Sequence, residues 1–324
     1  MRLIIALPVF AVSTWAQASQ PLRLEKTIEL PEVQGRIDHI SVDVKGERLF
    51  VSALGNNTVE VIDTKAGKRV KTIKGLQEPQ GVLYVPATDR LYVANSKDGS
   101  VRIFDGSSYA PLKTLDYGED ADNLRYDPDH KRIYVGYGGG ALAEIDEEGN
   151  KAGEIKLDSH PESFQLERTS PRIYVNLPKS RKIEVLDREA RTIVGTWPLG
   201  MMLANYPMAL DDADHRLFVV TRYPARLLVI DTATGKTLQR LPAVGDCDDV
   251  FYDKVGKRIY AIGGEGAISV FEQQDPDHYK ESARITTAKG ARTGFFSPEL
   301  DRLFVGVRRQ GNESAAIRVF APIR

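Results

Sequence analysis

Residues 86–105 read "PATDRLYVANSKDGSVRIFD". At the centre lies Arg90-Leu91-Tyr92-Val93, a run of branched and aromatic side chains that follows a polar turn, as a β-strand does. The same pattern of Arg, then Leu or Ile, then Phe or Tyr, then Val or Ala begins at Arg48, Arg90, Arg132, Arg172, Arg216, Arg258 and Arg302. Subtracting successive numbers gives spacings of 42, 42, 40, 44, 42 and 44 residues. A fixed period of this size marks a repeat architecture, in which each repeat is one supersecondary unit.

Each unit holds four short apolar runs. In the first full repeat these are "HISVDV", "RLFVSAL", "TVEVID" and "RVKTIKGL", parted by turn residues such as Lys45-Gly46, Gly55-Asn56-Asn57 and Lys65-Ala66-Gly67. No helical period lasts ten residues, so the units are all-β. The third run usually ends in an acid: Asp63, Asp105, Asp146, Asp187, Asp231 or Glu272. A carboxylate there can accept backbone N–H bonds and hold the following turn. Four strands every 42 or so residues make a propeller blade, so seven anchors predict a seven-bladed β-propeller with four antiparallel strands per blade. The last repeat has three runs, "TGFFSP", "RLFVGV" and "AIRVFA". The missing outer strand is available at the other end of the chain, where "LRLEKTIEL" (22–30) matches the fourth run of the other repeats. The N-terminal strand is therefore expected to complete the last blade and close the ring.

The segments "PATDRLYVANSKDGSVRIFD" and "ERLFVSALGNNTVEVIDTKAGKRVKTI" resemble the YVTN-type β-propeller repeats of bacterial and archaeal exported and surface proteins, and the resemblance spans residues 22–324. It implies seven blades and an exported location, and it brings no catalytic residues with it. WD-repeat propellers fit less well, because the tryptophans are Trp15 and Trp197 and no Gly-His…Trp-Asp pair occurs.

The first residues support export independently. Arg2, the apolar run Leu3–Val12 and the small-x-small site Ala16-Gln17-Ala18 have the layout of a cleavable signal peptide over residues 1–18. That leaves one domain, 19–324, expected in the periplasm or secreted. The leader carries one charge, so its removal takes the formal net charge from −1 to −2. Such a balance gives no reason to expect a nucleic-acid partner. No later segment approaches the ~20 apolar residues of a membrane span, and a monomer is expected. Cys247 is the single cysteine, so no internal disulfide forms. A small buried thiol is its simplest role.

In a propeller the innermost strand of each blade lines a central channel, and the loops around one mouth of that channel are the usual ligand site. Counting back ten residues from each anchor arginine samples one ring of positions: Asp38, Gln80, Asp122, Glu162, Tyr206, Asp248 and Arg292. The next position holds His39, Gly81, Asn123, Ser163, Pro207, Asp249 and Thr293. Four acids in the first ring repel one another and raise one another's pKa unless a cation relieves them. Arg36 and Arg292 are available for that, and so is a divalent ion. Asp122, Glu162 and Asp248 are the candidate metal ligands, with Asn123 and Asp249 beside them, and Ca²⁺ or Mg²⁺ would suit these oxygens. Glu119 and Asp120 are read as solvent-facing loop acids.

Three classes of function fit this ring. The first is a binding or scaffolding protein that presents a small ligand or a protein partner site at the channel mouth. The second is a metal-dependent hydrolase or lyase of the lactonase kind, with His39 or Asp249 as base. The third is an electron-transfer or assembly accessory, although the chain supplies no redox ligands of its own. The five histidines show no HExxH spacing, and His130, His215 and His278 fall in turns away from the mouth. "GYGGGAL" (136–142) lacks the ending of a phosphate loop and is expected to be a tight turn, and "RRQGNES" (308–314) a longer one. Met201, Met202 and Leu203 in "GMMLANYPMAL" either form an exposed partner surface or fold in over the channel.

Overall fold

The repeated Arg-Leu-Phe/Tyr-Val run is buried on both faces, which a β-strand sandwiched between two other layers must be. Leu49, Phe50 and Val51 are all 0% exposed in the computed structural model, which describes residues 20–324. The signal peptide expected over residues 1–18 lies outside the described residues. Leu49 and Val51 pack against Phe304, Ile317 and Val319 of the seventh repeat, whereas Phe50 packs against Val82, Leu91 and Val93 of the second. Alternation along the strand thus sends the aliphatic pair to the preceding blade and the aromatic to the following one.

The same arrangement repeats around the molecule. Twenty-eight strands form seven four-stranded antiparallel sheets. One apolar cluster fills each of the seven spaces between successive blades, including the space between blades 7 and 1, so the blades form a closed ring. Blade 7 is built from Gly294–Ser297, Arg302–Val307, Ala315–Pro322 and the N-terminal strand Leu22–Leu30. The last pairing runs from Leu22 opposite Pro322 to Leu30 opposite Ala315, as the sequence led us to expect.

The anchor arginines have a structural reason. Five of the seven reach a turn of the following blade. Arg48 donates to the Gly106 carbonyl at 2.6 Å and to Tyr109 at 2.8 Å, Arg172 to the Thr232 carbonyl, and Arg258 to the Ile323 carbonyl. Arg90 reaches the Glu147 carbonyl and Arg216 pairs with Asp277. Arg132 has no such bond among the described residues, and Arg302 pairs with Glu25 of its own blade's outer strand. The turn acids behave as expected in five repeats: Asp63, Asp105, Asp146, Asp187 and Asp231 each accept one or more backbone N–H groups of the turn that follows. Glu272, one methylene longer, instead pairs with Arg258. No helix among the described residues is long and apolar enough to cross a membrane.

Candidate functional site

In blades 1, 3 and 4 the ring residue and the one after it both line the mouth (Asp38 and His39, Asp122 and Asn123, Glu162 and Ser163), although neighbouring strand residues ordinarily point to opposite faces. A register shift at the start of the inner strand falls between Pro79 and Val82, Ala121 and Leu124, Asn205 and Met208, and Cys247 and Asp249 in blades 2, 3, 5 and 6. A bulge re-aims a side chain, and in blade 3 it accompanies the delivery of both Asp122 and Asn123 to the mouth. Gly81 allows the blades to close in at this level, since a Cβ there would lie 2.1 Å from the carbonyl oxygen of Asp122.

The side chains converge. Arg36 pairs with Asp38 and reaches Gln80 at 3.4 Å, while Gln80 donates onward to Asp120 at 3.2 Å. On the other side, Arg292 contacts Asp248 at 2.6 Å and Asp246 at 3.0 Å. Arg222, from the end of the second strand of blade 5, pairs with the same two acids and stacks over Tyr206, 4.1 Å from the ring centre. Burial raises the Asp248 pKa against the two arginines that lower it.

His39 stands at the centre. Its Nδ1 is 3.6 Å from Asp249, and its Nε2 is 3.8 Å from both Asp38 and Asp122. Burial lowers its pKa, but the three carboxylates, Asp249 foremost, outweigh burial and push it up to about 10. At neutral pH it is an imidazolium, with both nitrogens occupied by protons. That suits it to donating hydrogen bonds and holding negative charge, whereas a base needs a free lone pair.

Asp122, Glu162 and His160 form the remaining part of the mouth. Burial is the main cause that pushes Asp122 up to about 6, and burial with the charges of Asp122 and Asp248 raises Glu162 well above the usual carboxylate range. One Asp122 oxygen, Oδ1, is buried without a hydrogen-bond partner among the described residues. Ligand atoms of Asp122, His160 and Glu162 all lie within 4.8 Å of one another. Nδ1 of His160 is 2.7 Å from the Gly138 carbonyl, so it carries the proton and leaves Nε2 as the acceptor. Asp248, placed with Asp122 and Glu162 as a metal ligand in the sequence reading, is held by Arg222 and Arg292 instead. A recess of about 20 Å³, lined by Arg36, Asp38, His39, Asp122, Glu162 and Asp248 and not by His160, accommodates a water or an ion.

Below the His39 level the channel widens into a cavity of about 300 Å³, bounded by His39, Asn123, Ser163 and Asp249 above. Its wall includes a second ring, seven residues before each anchor: Ser41, Leu83, Arg125, Gln165, Ala209, Phe251 and Phe295. The sequence reading missed this ring, although the same counting finds it. It also missed Arg222, Asp246 and the inward reach of Asp120, whose partners are Gln80 and His160. Glu119 is exposed as expected. Cys247 is buried and unpaired, and burial raises its thiol well above the usual range. Met201 is 83% exposed, while Met202 packs beneath it against the apolar cluster of blades 4 and 5. Residues 138–140 form the expected turn between two strands.

No protein-family model matches the chain, and no curated protein matches it. Solved structures do. Hydrazine synthase of Kuenenia stuttgartiensis superposes with a TM-score of 0.76 at 18% identity, covering 89% of this chain and 97% of that one. A chain of a mitotic checkpoint complex crystal structure superposes with a TM-score of 0.80 at 12% identity, covering 100% and 99%. At such identities the likeness establishes the seven-bladed propeller fold alone.

Proposed function

We propose that this is an exported binding propeller of the YVTN-repeat kind, whose channel mouth receives a small polar ligand or a charged segment of a partner protein. The observation that supports it is the concentration of desolvated charge at one end of the channel. Arg36 and His39 face Asp38, Asp122, Glu162 and Asp248 across a recess too small for an organic molecule, and Arg222, Arg292, Asp246 and Asp249 pair with these groups or with one another around it. Burying such groups opposes folding, so a protein retains them where they act on something else. Arg36, Asp120 and Asp246 keep 38%, 47% and 41% of their side-chain surface open, and they form the rim on which a polar ligand would lie. Export rests on the layout of residues 1–18 and the repeat resemblance.

A second reading, a metal-dependent hydrolase or lyase, draws on the cluster of Asp122, His160 and Glu162. Two carboxylates and an imidazole with a fixed tautomer fit an ion of the Mn²⁺ or Zn²⁺ type better than Ca²⁺ or Mg²⁺, which take oxygen ligands. Such an ion would polarise a substrate carbonyl or a water at the mouth. One experiment separates the readings: elemental analysis of protein purified without a histidine tag, with thermal unfolding followed with and without chelator. Stoichiometric metal and a melting temperature that falls on chelation support the enzyme. No metal and no chelator effect support binding, and polyamines and oligosaccharides are then the first ligands to screen by thermal shift.

A further inference from the structure

The lower cavity differs from the mouth in the state of its arginine. Arg36, Arg222 and Arg292 each touch a carboxylate. Arg125, on the inner strand of blade 3, has no carboxylate within ion-pair distance among the described residues. Nη1 donates to the Leu124 carbonyl at 2.8 Å and to Asn123 at 3.3 Å, and Nη2 reaches Ser163 at 3.5 Å, at the limit of a hydrogen bond. Nε donates to no group among the described residues. The guanidinium lies against the Phe164 ring, 5.5 Å from its centre, and lines the cavity of about 300 Å³. In its ring of seven it is the one charged residue, the others being Ser41, Leu83, Gln165, Ala209, Phe251 and Phe295.

The acid closest to the cavity is already committed. Asp249 accepts the Gly294 N–H at 2.9 Å through Oδ2 and faces His39 through Oδ1. Asp249 is the one carboxylate that lines the cavity, and it stands beside His39, so the donors that Arg125 turns into the cavity have no anion of their own to meet. Burial lowers the Arg125 pKa, with Asp249 and Asp122 acting against it, which is the mark of a cation stripped of water without a close counter-charge. A fork of guanidinium donors left open is the feature that binds a carboxylate in two parallel bonds.

We infer that the lower channel binds a small organic monocarboxylate, its head on Arg125 and its hydrocarbon part against Leu83, Leu210, Phe251 and Phe295. The apolar walls disfavour a bare inorganic ion, and Asp249 with Asp122 above disfavours a second negative charge. The volume lies at the lower end of the ~300–1,000 Å³ usual for ligand pockets, which suits a molecule of the size of benzoate. This site lies on the opposite side of the His39 level from the proposed mouth site and stands without it.

Isothermal titration calorimetry of the full chain with benzoate, acetate and sulfate tests the inference. The expected order of affinity is benzoate, then acetate, then sulfate. Arg125→Gln is expected to weaken benzoate at least tenfold, and Arg125→Lys to weaken it less. Leu83→Phe narrows the cavity without touching the cation and is expected to weaken benzoate more than acetate, so the inference remains testable should Arg125→Gln fail to fold. Absence of benzoate binding at millimolar concentration overturns the site. Affinity unchanged in Arg125→Gln also overturns it, as does sulfate binding more tightly than benzoate.

Discussion

Arg292 of blade 7 contacts Asp248 of blade 6 across the channel mouth, Nε to Oδ2 at 2.6 Å, while Arg222 of blade 5 holds the same carboxylate from the other side. One acid thus ties three consecutive blades together at their inner edge. Removing Arg292 takes one of two counter-charges from a largely desolvated carboxylate and leaves Arg222 as the other.

Arg292→Ala is therefore expected to destabilise the protein by about 1–3 kcal/mol, less than for a fully buried pair because part of the guanidinium is in water. Asp248→Asn in the same background should recover much of the loss. Urea unfolding of the two single variants and the double variant checks this, and strict additivity would show that the contact carries no coupling.

Asp122 gives a pH signature. Its pKa in the folded protein is raised to about 6, so the protonated form is the one the fold prefers. The sign follows: the acid opposes folding little below its unfolded pKa of ~4 and increasingly as the pH rises through about 6. Asp122→Asn should leave stability unchanged at pH 4 and raise it at pH 8, by on the order of 1–3 kcal/mol. If a divalent cation occupies the mouth the sign inverts, because the carboxylate then has a counter-charge. Melting temperatures of both proteins at the two pH values, with and without added Mn²⁺, distinguish the cases.

His39 predicts a slope of the same sign in a higher pH window. A base whose folded pKa is raised from 6.5 to about 10 stabilises the fold fully below pH 6.5 and loses that contribution as the pH climbs through 10. At ~1.4 kcal/mol for each pKa unit, the fold loses on the order of 5 kcal/mol over that window. His39→Gln should be less stable than the parent at pH 7 and flatter between pH 6.5 and 10. The imidazole carbon signals in an NMR titration give a direct check, and a midpoint near 6.5 would mean that the carboxylates do not hold the proton.

The architecture was legible because seven nearly equal spacings of one tetrapeptide leave little freedom in blade number or in how the ring closes. The first ring at the mouth, from Asp38 to Arg292, was legible for the same reason, since counting from an anchor samples equivalent positions. Partners were not. Arg222 reaches the mouth from the end of a second strand, and Asp246 from the loop before an inner strand, positions that no count from the anchor selects. That His160 shares a cluster with Asp122 depends on two adjacent blades bringing their loops together, which periodicity does not describe. The bulge at Asp122 and Asn123 also breaks the alternation on which a strand-based reading relies.

Ring closure offers the plainest test of the fold. The N-terminal strand buries Ile28 and Leu30 at 2% and 0% exposure in the cluster between blades 7 and 1, opposite Ile317 and Ala315. Without it the strand Ala315–Pro322 becomes a free edge, open to pairing with other chains. Leu30→Ala is expected to cost about 2–4 kcal/mol, and Ile28→Ala a similar amount. Deleting residues 20–30 removes the strand and both apolar anchors together, and should convert a cooperatively unfolding protein into an aggregating species. Moving residues 20–30 to follow Arg324 through a flexible linker should restore the cooperative transition, because the pairing with Ala315–Pro322 needs the strand and not its place in the chain. A permuted protein that aggregates like the deletion, while the parent remains soluble under the same conditions, would show that the order of synthesis matters to closure as well as the strand itself.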